Sequence, residues 1–385
     1  MSQTEGQLRP RPLELAAGRM FGEHEGAAGI ATVEAGARTP LAALEEAILP
    51  ALAKPPCLVS FSGGRDSSSV LATAVLAARR EGLDPPVPVT LRVTGAPMAE
   101  ESQWQELVIR HLGLRDWELR EAGEDMERLG PLSTAALRRH GVVYPPNTFL
   151  QLPLLEAARG GTLLSGFGGD ELFATWRWRK HADVLARRRR PAALDPLRLG
   201  YAASPSALRA WRERRTARLA ELVWLRPEAM TNAMRLEGEA RAEQPRTWSR
   251  WVDWFARRRS VCAPRWSLSL LAADAGAELI HPLLDPGFLA ALARAGGRLG
   301  FGDRTRAMRA IFGGLLPEEV LARATKARYS EVLWGRGTRD FAERWSGSSD
   351  DALVDTDVLR REWLKPQPHE DSAMLLHAAW LREQG

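Results

Sequence analysis

Lysine is nearly missing from this sequence. It stands only at Lys54, Lys180, Lys326 and Lys365, so almost all of the 53 basic residues are arginine. Any lysine is therefore a more informative letter than usual. Cysteine is scarcer still, at Cys57 and Cys262 alone. Two thiols do not make a disulfide framework or a cysteine-rich zinc site. The 7 histidines are scattered, with no H-x-x-H or H-E-x-x-H pattern, so neither a zinc site nor a histidine triad is supported. No apolar run approaches the ~18 residues of a membrane helix. The start, MSQTEGQLRPRPLELAAG, has no apolar signal core, so export is not expected and a cytoplasmic protein is. A dominant charge sign is lacking as well. Net charge is +5, from 53 basic against 48 acidic residues, too small an excess to imply nucleic acid.

What is there is a chain of 385 residues, 45% hydrophobic, enough for a sizeable core. Residues 1 to about 40 carry few apolar repeats and read as an extension, so the domain organisation is taken as 1–45 extension and 46–385 main domain. Thr39 to Pro55 has helical spacing behind a threonine–proline start. Cys57 to Phe61 is a short apolar run, read as a buried strand. Asp66 to Glu81 repeats with helical period and stops at Gly82. Pro86 to Gly95 predicts a second strand, Glu100 and Glu101 open a helix that Gly113 closes, and Trp117 to Arg120 suggests a third strand. Gly160 to Phe173 reads as turn, strand, glycine loop and helix start. From about Asp183 onward helices are expected and no strand. Strands alternating with helices predict an α/β fold with a parallel sheet and a helical C-terminal half.

Ligands of such sheets collect beyond the carboxyl ends of the strands. Two glycine loops fall there, SGGRDSS (Ser62 to Ser68) and SGFGGDE (Ser165 to Glu171). Gly63 and Gly64 let successive N–H groups turn toward one point, a nest for phosphate oxygens at a helix start. Ser62, Ser67 and Ser68 add hydroxyls. Asp66 would repel a bare phosphate, and a Mg²⁺ bridging it to phosphate resolves that conflict. The plain alternative is that Asp66 and Asp170 cap their helices and the glycines only make turns. Two loops of the same design, each with one aspartate, make a shared metal the better account.

SGGRDSS resembles the pyrophosphate loop of the ATP pyrophosphatases, with signature SGG-x-DS, and lacks the G-K-[ST] of a Walker loop. LLSGFGGDELF is similar to the matching loop of the asparagine synthetase family. EESQWQELVIRHLGL, GAELIHPLLDPGFLAAL and GDRTRAMRAIFGGLLPEEVLARATKARYS resemble further segments of that family in the same order, over roughly residues 45 to 335. The resemblance implies an adenine-nucleotide α-hydrolase-like (PP-loop) domain. It implies a C–N ligase that uses ATP with Mg²⁺, adenylates a carboxylate, releases pyrophosphate and passes the acyl group to an amine or ammonia. By similarity Ser62, Gly63, Gly64, Ser67 and Ser68 cradle the pyrophosphate, and Asp66 and Asp170 hold the metal. Phe61, Val93, Ser165 and Gly166 line the adenosine. Lys326, in RATKARYS, matches the family's C-terminal lysine, a compact ammonium for transition-state charge. Arg304 and Arg309 flank that region and could pair with acids or phosphate.

Two departures bear on substrate. Asparagine synthetases carry a glutaminase domain with an N-terminal cysteine nucleophile, whereas residue 2 here is serine and about 45 residues precede the ATP domain. No glutaminase activity of its own is expected, which leaves free ammonia, a separate glutaminase or another amine. The second departure is Phe167, where asparagine synthetases have glutamate and β-lactam-forming relatives have tyrosine. Phenylalanine does no acid–base work and offers only an apolar wall. Asparagine biosynthesis from aspartate is thus one expectation. Macrolactam closure on a peptide side chain is another, of the lasso-peptide cyclase type, with a precursor-peptide-binding partner; TKARYSEVLWG resembles such cyclases. A nucleotide-binding partner protein without catalysis is a third. Trp248, Trp251 and Trp254, at three-residue spacing, are read as core rather than a peptide wall. Arg187 to Arg190 are read as a solvated helix end.

Overall fold

The computed structural model describes residues 3–27, 29–30, 38–94, 101–216, 221–325, 330–347 and 351–384. Its centre is a sheet of parallel strands: β1 (Cys57–Ser60), β2 (Val87–Val93), β3 (Glu118–Ala122), β4 (Thr162–Leu164) and β5 (Glu278–Ile280). The strand order is β3-β2-β1-β4-β5. Leu58 stands beside Val87 on one side of β1 and beside Leu163 on the other. Such a strand is covered on both faces, and this is why Cys57, Leu58 and Val59 are continuously apolar rather than alternating. The chain builds outward from β1 through β2 and β3, then returns to the other side of β1 with β4. The loops after β1 and β4 therefore face each other across the switch point, where open α/β sheets bind ligands.

β5 corrects the expectation of no strand beyond Asp183. It pairs with β4 through Thr162↔Glu278 to Leu164↔Ile280. A strand of 3 residues is too short to show a period. Pairing with an existing edge makes it a strand, and its end delivers His281 to the rim of the sheet.

Helix α3 (Pro40–Leu52) starts as the sequence suggests, with the Thr39 hydroxyl accepting from the Ala42 N–H at 3.2 Å. It lies against α4 (Arg65–Glu81) through Leu44, Ile48, Val70 and Leu71, all fully buried. Each such side chain contributes roughly 1.5–3 kcal/mol, so the helix that begins at the first glycine loop is rigidly seated. Trp248 and Trp251 are buried in the same core, with ring centroids 5.0 Å apart, and Trp254 packs at its edge. The core reading of these tryptophans holds.

A second core lies in the helical half, around Trp224, Phe341 and Trp363. Short helices near the start, α1 (Gln3–Leu8) and α2 (Pro12–Ala17), belong to the folded body. Ala16 and Ala17 are part of that second core, and the Trp224 indole N–H donates to the Ala16 carbonyl at 2.8 Å. Glu14 forms a buried ion pair with Arg259. The arginine run differs from its expectation: Arg188 donates to the carbonyls of Leu299 (3.1 Å) and Gly300 (2.5 Å), and Arg189 pairs with Asp195 at 2.7 Å. Arg188 and Arg189 are thus tethers, while Arg187 and Arg190 are exposed as expected.

Candidate active site

The first glycine loop leaves the sheet at Phe61. Its N–H still donates to the Val89 carbonyl (2.8 Å) and its own carbonyl accepts from the Thr90 hydroxyl (2.5 Å). Both backbone polar groups of Phe61 are thus engaged within the sheet. Beyond it the loop closes on itself. The Ser62 and Ser67 hydroxyls lie 3.1 Å apart, the Gly64 N–H donates to Ser62 Oγ (3.3 Å), and the Ser67 hydroxyl donates to the Gly64 carbonyl (3.2 Å). Ser62 is exposed, whereas Ser68 is fully buried and its hydroxyl has no partner among the described residues. The three serines that look equivalent in sequence therefore differ: Ser62 and Ser67 shape the loop, and Ser68 belongs to the interior of α4.

The loop is braced from α5 (Ser102–Leu112) and from Arg323. Gln105 donates to the Ser62 carbonyl at 3.3 Å. Arg323 donates to the Gly63 carbonyl at 2.9 Å, forms a buried ion pair with Glu101 and lies 4.9 Å from the centre of the Trp104 ring. Sequence reasoning passed over Arg323 and Glu101, because nothing local to either residue announces a partner more than two hundred positions away. Lys326 lies outside the described residues. The described chain reaches Thr325, whose hydroxyl accepts from Arg323 Nε at 3.0 Å. Val93 ends β2 at the same rim of the sheet, paired with Ala122.

The second loop meets the first at backbone distance. A Cβ on Gly166 would fall 2.6 Å from the Ser67 nitrogen, and one on Gly169 would fall 2.3 Å from the Asp66 carboxyl carbon. Neither space admits a side chain, so both glycines are needed for the approach. Ser165 is tied to β5: its N–H donates to the Ile280 carbonyl (3.0 Å), and its hydroxyl lies 2.6 Å from His281 Nδ1. Burial, with Arg265 adding to it, pushes His281 down to about 3, so its ring is neutral at physiological pH. The Phe167 ring meets the His281 ring edge-on, with centroids 5.2 Å apart. His281 was missed in the sequence because a lone histidine carries no pattern. The strand that precedes it was missed too.

The two aspartates converge on one cation. Arg304, held at a helix start by the cap that Asp303 provides to the Arg306 N–H, donates Nη2 to Asp66 Oδ2 at 2.6 Å and Nη1 to Asp170 Oδ1. The pairing of Arg304 with acids, considered from sequence, is therefore present; Arg309 pairs with Glu318 instead. Burial drives the Asp66 carboxyl up to about 6, although Arg304 pulls the other way. Burial also opposes the Arg304 charge, but the two carboxylates hold its pKa above the ordinary arginine value. Asp66 Oδ1 is buried with no partner among the described residues. A buried carboxylate oxygen left over is a place for a further cation or donor. Among the described residues no cluster of three or more histidine, cysteine or acidic side chains is set to hold a metal. Two carboxylates alone suit Mg²⁺, which fills its remaining positions with phosphate oxygens and water, and do not suit zinc. The donor set fits the metal proposed from sequence, with Arg304 as the cation that now sits between the acids.

A parallel sheet with two neighbouring strands that end in touching glycine loops, each giving a carboxylate to one cationic point, is an α/β architecture of the PP-loop kind. The asparagine synthase family pattern matches residues 41–382, and the chain belongs to that family. No curated protein matches the chain. The family makes C–N bonds with ATP, usually with Mg²⁺. No helix among the described residues is long and apolar enough to cross a membrane.

Proposed function

We propose that this protein forms an amide in two steps at the junction of the two glycine loops. A carboxylate oxygen of the substrate attacks the α-phosphorus of ATP, the bond to the β-phosphate oxygen breaks, and pyrophosphate leaves. An amine nitrogen then attacks the acyl carbon, AMP departs with the bonding pair, and the amine gives up a proton to solvent. The observation that carries this reading is the contact of the loops at Gly166 and Gly169, which brings Asp66 and Asp170 onto one cation.

In this reading Ser62, Gly63, Gly64 and Ser67 present the nest to the pyrophosphate, with Ser68 supporting it from inside α4. Phe61, Val93, Ser165 and Gly166 line the adenosine, and Lys326 offsets charge on the adenylation transition state. Asp66 and Asp170 would hold Mg²⁺, which would supply positive charge to the leaving pyrophosphate. Arg304 keeps the two carboxylates from repelling each other when the metal is away. Phe167 adds no proton-transfer group. The acyl acceptor side is therefore read as one where positioning, not acid–base work at residue 167, activates the amine. The amine is ammonia from solution, ammonia from a separate glutaminase, or an amine of a peptide or other natural product.

One observation favours a second reading, a nucleotide-binding partner protein without turnover: Arg304 already fills the point between the acids. The two are separated by supplying Mg²⁺-ATP with aspartate, with acidic-side-chain peptides and with ammonia, and measuring AMP and pyrophosphate. Stoichiometric AMP, pyrophosphate and amide are expected. Release of ADP and phosphate would refute adenylation. ATP binding without any turnover across the panel would favour the partner protein.

A further inference from the structure

A cavity of about 420 Å³ lies between the helix Arg259–Ala275, the end of β5 and the start of the helix Pro286–Gly296. Ligand pockets of this size are ordinary for small molecules. One of its walls is His281, whose other contacts are the Ser165 hydroxyl of the second glycine loop and the Phe167 ring. The cavity and the second glycine loop thus share a wall where β5 ends.

Its lining is mostly apolar, including Leu279, Leu284, Leu289 and Trp266. Among the described residues no aspartate or glutamate lines it. His281 is neutral, for the reason given above. Arg265 is the one guanidinium among the described lining residues; it is exposed at the edge of the cavity, and among the described residues it makes no ion pair. Its charge is felt inside: it disfavours the protonated form of His281 and favours the thiolate of Cys262, both of which line the cavity. An apolar chamber with one exposed guanidinium at its edge and, among the described lining residues, no acid favours an amphipathic anion whose charge stays at that edge.

We propose that this cavity binds the acyl-donor substrate of the amide-forming site, an organic anion with an apolar body whose carboxylate is held by Arg265. The role as substrate pocket rests on the amide-forming reading; the binding itself does not. Free aspartate, with no apolar body, fits this chamber poorly, and an aromatic or aliphatic acyl or peptidyl carboxylate fits it well. Phe167 belongs to the same design, as part of an apolar partition in place of an acid–base group.

Cys262 provides the readout. It lines the cavity and is half-buried, whereas Cys57 is buried in the sheet, and the two are told apart by peptide mass. The probes are N-acetyl-phenylalanine and its neutral amide. The full-length protein is alkylated with iodoacetamide in the presence of each, and ATP binding is measured separately by calorimetry. The carboxylate probe is expected to protect Cys262 at concentrations about tenfold lower than the amide, the scale of one charge-assisted hydrogen bond. Arg265→Gln should abolish that preference while leaving ATP affinity and the melting temperature unchanged. Equal protection by the two probes, no protection by either, or an unchanged preference in Arg265→Gln would overturn the proposal. Loss of ATP binding in the unaltered protein would count against the amide-forming reading alone, and the probe results would still decide the cavity.

Discussion

Asp66 should make the metal-free protein less stable at neutral pH than it needs to be. Its carboxyl is pushed from an ordinary 3.8 to about 6, mainly by burial, with its side chain only 13% exposed. A folded-state pKa above the unfolded value means that the folded protein holds this proton more tightly. The favourable contribution is complete below about pH 4 and is lost as pH rises through 6. At pH 7 the ionised carboxylate costs about 3 kcal/mol relative to the neutral acid, at about 1.4 kcal/mol per unit. Asp66→Asn imitates the neutral acid in shape and can still accept from Arg304. For 385 residues the unfolding entropy is about 0.8 kcal/mol/K. The variant should therefore melt about 4 °C higher than the parent at pH 7 in EDTA, and the gap should close near pH 4. Mg²⁺-ATP should reverse the order, because only the parent retains the second carboxylate for the metal. Thermal melts across pH 4 to 8, with and without Mg²⁺-ATP, decide it. A variant less stable than the parent at pH 7, or a gap that does not shrink with acid, would refute the burial argument.

Gly166→Ala tests the contact between the loops. Its Cβ would stand 2.6 Å from a backbone nitrogen, which cannot swing aside as a side chain could. The loops must part at a cost of about 1–3 kcal/mol, and affinity for Mg²⁺-ATP should fall more than tenfold in calorimetry; unchanged affinity would show that the contact does not matter to the nucleotide. Arg323→Met removes the brace on Gly63 and leaves Glu101 buried and unpaired. Breaking a buried pair from one side costs about 3–5 kcal/mol, so denaturant melts should show a loss on that scale. The double variant Arg323→Met/Glu101→Leu should recover most of it, and a double variant as unstable as the single one would place the loss elsewhere.

The local half of this protein is written in short stretches of the chain. Continuous apolar letters from Cys57 to Val59, the alternation of strand and helix, and two glycine loops with an acid at each helix start are short-range features. Backbone sterics and burial write them within a few residues. From them the parallel sheet, the two facing loops and the family resemblance were all legible. The tertiary structure decided everything that depends on long-range pairing. It made Glu278–Ile280 a strand, because a segment of 3 residues becomes one only beside an existing edge. It put Arg304 between acids 238 and 134 positions away, and Arg323 beneath a loop 260 positions away. It separated Ser68 from Ser62 and Ser67, since helix phase turns one hydroxyl inward. It brought His281 against Ser165 and placed beside it a chamber lined, among the described residues, by Arg265 and no acid. Charge compensation acts through space, so which of many arginines lacks a partner is settled by the fold and not by the order of the letters.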